Sequence, residues 1–206
     1  RDVAPSRGLG DVYKRQDEHR NSLSYHNVHA LCMDGDDLWI GTYTGGVNVL
    51  NTKTGVFRVY TTKAGDPTTL DRSSSYAIFK DREARIWVTS MSGVNLYNRE
   101  EDNFTRIRDL GSWIMDIDQD ADGNIWFSSQ GNGLFKYDPD KQEWTNYVHS
   151  SAPGALINDQ VNCVLIDGNG EMWIGTMNGL CKYNAKEDQF ELIPLDIPSS
   201  NISVSY

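Results

Sequence analysis

One phrase recurs four times along this chain of 206 residues, and each copy turns on a tryptophan. The copies are Asp34-Gly-Asp-Asp-Leu-Trp39-Ile-Gly-Thr, Asp81-Arg-Glu-Ala-Arg-Ile-Trp87-Val-Thr, Asp120-Ala-Asp-Gly-Asn-Ile-Trp126-Phe-Ser and Asp167-Gly-Asn-Gly-Glu-Met-Trp173-Ile-Gly-Thr. The tryptophans lie 48, 39 and 47 residues apart. A period of roughly 40–50 residues is the mark of stacked sheet-forming units. It also moves the functional question, because residues shared by all copies build the scaffold and the differences between copies carry the function.

The periodicity extends beyond the tryptophan. A glycine follows each one, at Gly46, Gly93, Gly133 and Gly179, and the next short alternating run ends on Leu50, Tyr97, Tyr137 or Tyr183. Seven residues later stands Phe57, Phe104, Trp144 or Phe190, and three later still Tyr60, Ile107, Tyr147 or Ile193. Each copy therefore parses into four short strands rich in Val, Ile, Tyr, Phe and Trp and punctuated by Gly, Asp and Asn. First strands are expected over Val28–Met33, Tyr76–Lys80, Trp113–Asp118 and Val161–Ile166. The Asp-x-x-Gly segments before the tryptophans supply the positive φ that a tight hairpin requires. No run shows helical period with caps. Repeated four-stranded antiparallel units define an all-β chain, a β-propeller.

The expected blades cover residues 24–61, 72–108, 111–148 and 157–194, and residues 199–206 resemble the opening of a fifth. Four units and a stub read as roughly half of a larger ring, since propellers carry about four to eight blades. Residues 1–20 match no landmark of the repeat and contain no apolar run, so they read as neither signal peptide nor membrane span. Gly8 to Gln16 resembles translated adapter sequence, and the whole non-repeat segment is set aside as artefactual or disordered.

A net charge of −10 argues against a nucleic-acid backbone, which needs a basic face, and against contact with an anionic membrane surface. Cys32, Cys163 and Cys181 fall within expected strands with no local pairing pattern, so buried free thiols are expected.

Asp116, Asp118, Asp120 and Asp122 followed by Gly123 suggest a calcium loop, but the twelfth position from Asp118 is Ser129 where a bidentate Glu is required. A hairpin turn is the better reading. His26 and His29 stand three apart, which on a strand places them on opposite faces, so no metal pair is expected, although His26 at a loop mouth remains a candidate for ligand contact. The four tryptophans recur at one structural position and read as packing between blades rather than as a binding stripe. No nucleophile elbow, phosphate loop or dinucleotide fingerprint is present, so no catalytic residue, cofactor or metal site is assigned.

The variable loops are more informative. In a four-stranded meander, the loops between the second and third strands share a rim with the links leading into each next blade. That rim presents Tyr25, His26, Asn27, Tyr43, Met91, Trp113, Gln130, Asn132, Asn158, Met177 and Asn178. Amides bond hydroxyls and rings stack on apolar sugar faces, so the candidate ligand is a neutral polyol or sugar.

The pattern Asp-x-x-Gly-x-Leu/Ile-Trp-Ile-Gly-Thr-x-x-Gly-Gly-Leu/Val-x-x-Leu/Tyr resembles the two-component regulator propeller repeat, with Asp34–Leu50 and Asp167–Tyr183 as the nearest copies. Two departures are expected to loosen individual turns: Asp81-Arg-Glu-Ala-Arg lacks the turn glycine, and Ser128-Ser129 replaces Gly-Thr. The resemblance implies a seven-bladed propeller in the periplasmic sensor region of a hybrid histidine kinase of the Bacteroidetes type. It further implies that the propeller binds an oligosaccharide, that the parent is a homodimer, and that it switches on genes for polysaccharide use. The alternatives are a propeller lyase of the streptogramin-lyase type, which the third copy also resembles, and a protein-binding scaffold.

Overall fold

A computed structural model of the chain describes residues 21–194; the non-repeat segment at 1–20 and the expected opening of a fifth unit at 199–206 lie outside them. Sixteen strands form four antiparallel sheets, each a meander of four consecutive strands. The first blade holds β1 (Val28–Asp34), β2 (Asp37–Thr42), β3 (Val47–Asn51) and β4 (Phe57–Tyr60). The second holds β5 (Ile78–Lys80), β6 (Ile86–Thr89), β7 (Gly93–Asn98) and β8 (Asn103–Asp109). The third holds β9 (Trp113–Gln119), β10 (Ile125–Gln130), β11 (Leu134–Asp138) and β12 (Glu143–Tyr147). The fourth holds β13 (Val161–Ile166), β14 (Met172–Thr176), β15 (Gly179–Asn184) and β16 (Gln189–Leu192). The described residues contain no helix, and the first strand of each blade packs on the first strand of the next. The propeller architecture read from the repeat is the one observed.

Three hydrophobic cores lie between the blades, and one tryptophan of the repeated phrase reaches into each. Trp39 packs on Ile78, Ile86, Val88 and Phe104 of the second blade, and Trp87 on Ile117, Ile125 and Phe127 of the third. Trp126 packs on Val164, Met172 and Ile174 of the fourth. Each indole also meets the tyrosine closing the next blade's third strand: Trp39 on Tyr97, Trp87 on Tyr137 and Trp126 on Tyr183, with ring centroids 4.7, 6.0 and 5.0 Å apart and edge-to-face tilts. That is the favoured geometry for two aromatic quadrupoles. Trp173 has no following blade among the described residues and is only half-buried. At the other end, Leu31 and Met33 of β1 are 64% and 52% exposed. They occupy the register positions that Val164 and Ile166 hold on β13, where the preceding tryptophan packs.

The two expected loose turns are not loose. Ala84 adopts φ 61°, in the left-handed region that Gly123 and Gly170 occupy in the third and fourth blades. The turn bonds are likewise the same, Ala84 N–H donating to Asp81 O as Gly123 does to Asp120 O and Gly170 to Asp167 O. The side chain therefore bears local strain while the turn keeps its shape. The Ser-Ser copy is equally complete, because Ser129 Oγ donates to Gly133 O at 2.8 Å just as Thr42 Oγ1 donates to Gly46 O. Only a hydroxyl three residues after the tryptophan is needed, and serine supplies it. Gly133 itself is irreplaceable: its φ is 77°, and a Cβ there would lie 2.1 Å from Tyr147 O.

The expected burial of all three cysteines holds only for Cys181; Cys32 is partly buried and Cys163 is exposed. Cys163 sits on the same sheet face as Trp173, at the register position of Ala30 in the first blade. It lies on a face that no described residue covers.

Two carboxylates manage the inner edge of the fourth blade. Asp116 Oδ2 accepts Val164 N–H at 3.2 Å and Asp118 Oδ2 accepts Ile166 N–H at 2.6 Å, satisfying donors of β13 that have no partner strand. An uncapped edge of this kind is a pairing hazard. Burial pushes the Asp116 carboxyl up, against the lowering effect of the Val164 N–H bond. Three carboxylates of the acidic run that resembles a calcium loop are thus taken by protein donors, Asp120 accepting the backbone N–H groups of Asp122 and Asn124 within the hairpin turn.

Candidate functional site

The loops joining second to third strands and the links between blades do share one rim. Tyr43 N–H donates to Asn27 O at 3.0 Å, Met177 N–H to Gln160 O at 3.0 Å, and Gly131 and Gly133 N–H both to Asp159 O. Ser112 Oγ donates to Gln130 O at 2.6 Å. Buried Asn48 ties the link before the first blade to β3 by accepting Ser24 N–H, and buried Asn95 does the same for the second blade through Asp71 N–H. The link segments are thereby clamped to a rigid sheet, the usual arrangement for a site built from loops.

Along this rim runs an aromatic ladder crossing three blades. Tyr43 lies 5.9 Å from His29, His29 lies 5.1 Å edge-on from Tyr76, and Tyr76 stacks on Trp113 at 5.7 Å and 16°. Tyr43 and Trp113 are 37% and 41% exposed. Tyr76 is buried between them, its hydroxyl has no hydrogen-bond partner among the described residues, and burial pushes the pKa of its phenol up. Two large exposed rings backed by a third suit an apolar sugar face.

Neither Tyr76 nor His29 is among the residues read from sequence as rim candidates. Tyr76 stands two residues before β5, where strand pattern assigns it to the scaffold. His29 occupies the strand position whose side chain alternation turns away from His26. His26 instead packs on Tyr25, ring centroids 4.6 Å apart.

The amides divide into two sets. Asn132 Nδ2 donates inward to Leu110 O at 2.9 Å, and Asn158 Oδ1 accepts Gln160 N–H at 2.7 Å, so both are partly spent on loop structure. Asn27, Gln130 and Asn178 are exposed. Gln130 stands directly opposite Trp113 in the β9–β10 register, which places an amide beside the ladder. Met177 is exposed, and its sulfur accepts Asn162 Nδ2 at 3.6 Å. Met91 sits partly buried in the loop between β6 and β7. Among the described residues no group of three His, Cys, Asp or Glu side chains is placed to hold a metal, and no helix is long and apolar enough to cross a membrane.

Fold and rim together define a β-propeller with a loop-built, aromatic and amide-lined face. The model of the two component regulator propeller family matches residues 22–44 and 155–178, in the first and fourth copies of the repeat. It is 30% identical over 179 residues to histidine kinase P4 of Formosa agariphila, an alignment covering 82% of this chain and 13% of that kinase. Its fold matches two extracellular domains from B. thetaiotaomicron, each described as part of a hybrid two component system. The first has a TM-score of 0.76 and 23% identity, covering 85% of this chain and 24% of the other. The second has a TM-score of 0.71 and 21% identity, covering 86% and 23%. The chain thus spans under a quarter of the length of each of these proteins.

Proposed function

We propose that this chain is part of the sensor propeller of a hybrid two-component histidine kinase, working outside the cytoplasmic membrane. Its rim binds an oligosaccharide, and occupancy biases a homodimeric parent toward switching on genes for polysaccharide use. The Tyr43–Tyr76–Trp113 ladder carries the reading, because it sets exposed rings on a rigid face at the boundary of three blades. Exposed Asn27, Gln130 and Asn178 add hydrogen-bonding groups suited to sugar hydroxyls. The match to a histidine kinase and to extracellular domains of two-component systems supports the sensory role. A bound ligand can shift such an equilibrium only through its different affinity for the two states.

The test is a thermal-shift and calorimetric screen of oligosaccharide pools. Binding to the folded state alone raises the melting temperature, so at least one pool is expected to do so. Trp113→Ala and Tyr43→Ala are each expected to weaken that pool's affinity roughly tenfold or more, as loss of one stacked ring does, without lowering the unliganded melting temperature. No response to any pool, or full affinity in both variants, contradicts the proposal.

A further inference from the structure

The first strand of every blade opens on the same irregularity. On β1 the pairing with β2 steps from Val28 to Ala30, on β9 the pairing with β10 from Ile114 to Asp116, and on β13 that with β14 from Val161 to Cys163. Just ahead of β5, Tyr76 N–H donates to Thr89 O and Thr89 N–H to Ala77 O, so one residue of β6 again faces two. The extra residues are His29, Tyr76, Met115 and Asn162, four chemistries at one position of the repeat. A bulge re-aims the side chain it inserts, and bulges are over-represented next to active sites. All blades share the backbone device, and each presents something different with it.

Across each joint a bulge residue meets the loop between the second and third strands of the preceding blade, and the two are of one kind. Ser75 N–H donates to Thr42 O at 2.9 Å, and the residues that follow, Tyr43 and Tyr76, have ring centroids 6.4 Å apart. At the next joint Ile114 N–H donates to Ser90 O at 3.3 Å, and the same offsets set Met91 beside Met115. At the third, the pairing of Gln130 with Gln160 gives Gln130 and Asn162 the corresponding relation. Around the rim the pairs therefore run aromatic, thioether, amide. Met91 and Met115 are partly buried, Gln130 and Asn162 exposed, and none of the six residues is charged at neutral pH. Methionine is flexible and polarizable and fits itself to irregular apolar groups. A sugar hydroxyl placed on the thioether pair would exchange water for a weak sulfur acceptor, whereas a methyl group would gain burial.

We propose that Met91 and Met115 form a methyl subsite, so that the saccharide taken by the rim carries a 6-deoxy or acetyl methyl group. Its ring faces lie on Tyr43 and Trp113, and its hydroxyls reach Gln130 and Asn162. This rests on the sugar-binding reading and narrows it from neutral sugars in general to methyl-bearing ones.

The full chain, isotope-labelled at its methionine methyl groups, is titrated with a chito-oligosaccharide, whose N-acetyl groups supply the methyl, and a rhamno-oligosaccharide, whose 6-deoxy carbon does. Cello- and manno-oligosaccharides are the counterparts without it, and NMR and calorimetry follow the same titrations. At least one methyl-bearing saccharide is expected to bind roughly tenfold tighter than its counterpart, the discrimination that one buried methyl gives. It should shift the signals of Met91 and Met115 while those of Met33 and Met172 stay. Which of the two does so identifies the source of the methyl. Met91→Gln and Met115→Gln are expected to remove the preference with the melting temperature kept, and Met91→Leu to retain it. Counterparts that bind as tightly, or binding that leaves both methionine signals in place, overturn the methyl subsite while the sugar-binding rim stands. Binding of none of the four saccharides overturns the subsite; the rim falls with it only if the wider oligosaccharide pools are silent too.

Discussion

Trp126 donates its indole N–H to Asp120 Oδ2 at 2.7 Å, six residues upstream, and so ties the hairpin turn to the core between the third and fourth blades. The second blade repeats the bond, Trp87 Nε1 to Asp81 Oδ2 at 2.8 Å, and Trp173 Nε1 approaches Asp167 Oδ2 at 3.5 Å. In the first blade the spacing is five, because the hairpin after Asp34 has only two loop residues. There Asp34 turns to Lys80 at 2.8 Å and Arg99 at 2.5 Å, and Trp39 Nε1 is buried without a partner among the described residues. Asp120→Ala should therefore cost about 2–3 kcal/mol, the range for stranding a buried donor that had a charged acceptor. Equilibrium urea unfolding reads this directly, and an unchanged midpoint would show that the indole bond contributes nothing.

Ala84 holds the left-handed backbone that glycine holds in the sister turns. Left-handed geometry costs a non-glycine residue about 1–2 kcal/mol, partly offset by the greater chain entropy of unfolded glycine. Ala84→Gly is accordingly expected to stabilise the chain by about 0.5–1 kcal/mol, raising the melting temperature. A decrease would mean that the turn is not strained.

Two phenols from neighbouring blades share one carboxylate: Tyr147 and Tyr183 donate to Asp188 Oδ1 at 2.7 and 2.5 Å. The Tyr183 bond, with that of Tyr147, holds the Asp188 carboxyl below its ordinary range against a smaller effect of burial. A carboxyl lowered in the folded state stabilises above its unfolded pKa, and that stabilisation is lost as pH falls through and below the carboxylate range. Burial, reinforced by the Asp188 bond, pushes the Tyr183 phenol up to about 12. Its contribution is complete below about pH 10 and disappears as pH rises toward 12. In urea unfolding across pH, Asp188→Asn should flatten the acid limb and Tyr183→Phe the alkaline limb. Parallel profiles for parent and variants would contradict the shared-carboxylate account.

The repeat made the blades legible because each strand's partner is its sequence neighbour. Val161–Ile166 coincides with its expected strand, and the first strand of the second blade begins at Ile78 rather than Tyr76. What spacing could not convey are bonds between blades. Asp116 and Asp118 read as a turn or an ion loop because their partners, Val164 and Ile166, lie 48 residues away. The aspartate before Trp87, Trp126 and Trp173 read only as a turn residue, since nothing local shows that the indole nitrogen returns to it. At the rim, Tyr43 and Trp113 were legible as loop aromatics. Tyr76, which joins them, was hidden by a position that strand alternation assigns to the scaffold. Asn132 and Asn158 look like free amides in sequence, yet Leu110 O and Gln160 N–H take part of their capacity.

The same unfolding measurement, applied to two tryptophans that sequence treats as equivalent, tests the inter-blade role of the indoles most directly. Trp126 is fully buried against the fourth blade, whereas Trp173 faces no described blade. Trp126→Ala should cost about 3–5 kcal/mol, as core aromatic truncations do, and Trp173→Ala in this chain under about 2 kcal/mol. Equal losses at the two positions, or a wild-type midpoint for Trp126→Ala, would show that packing between blades is not what these residues provide.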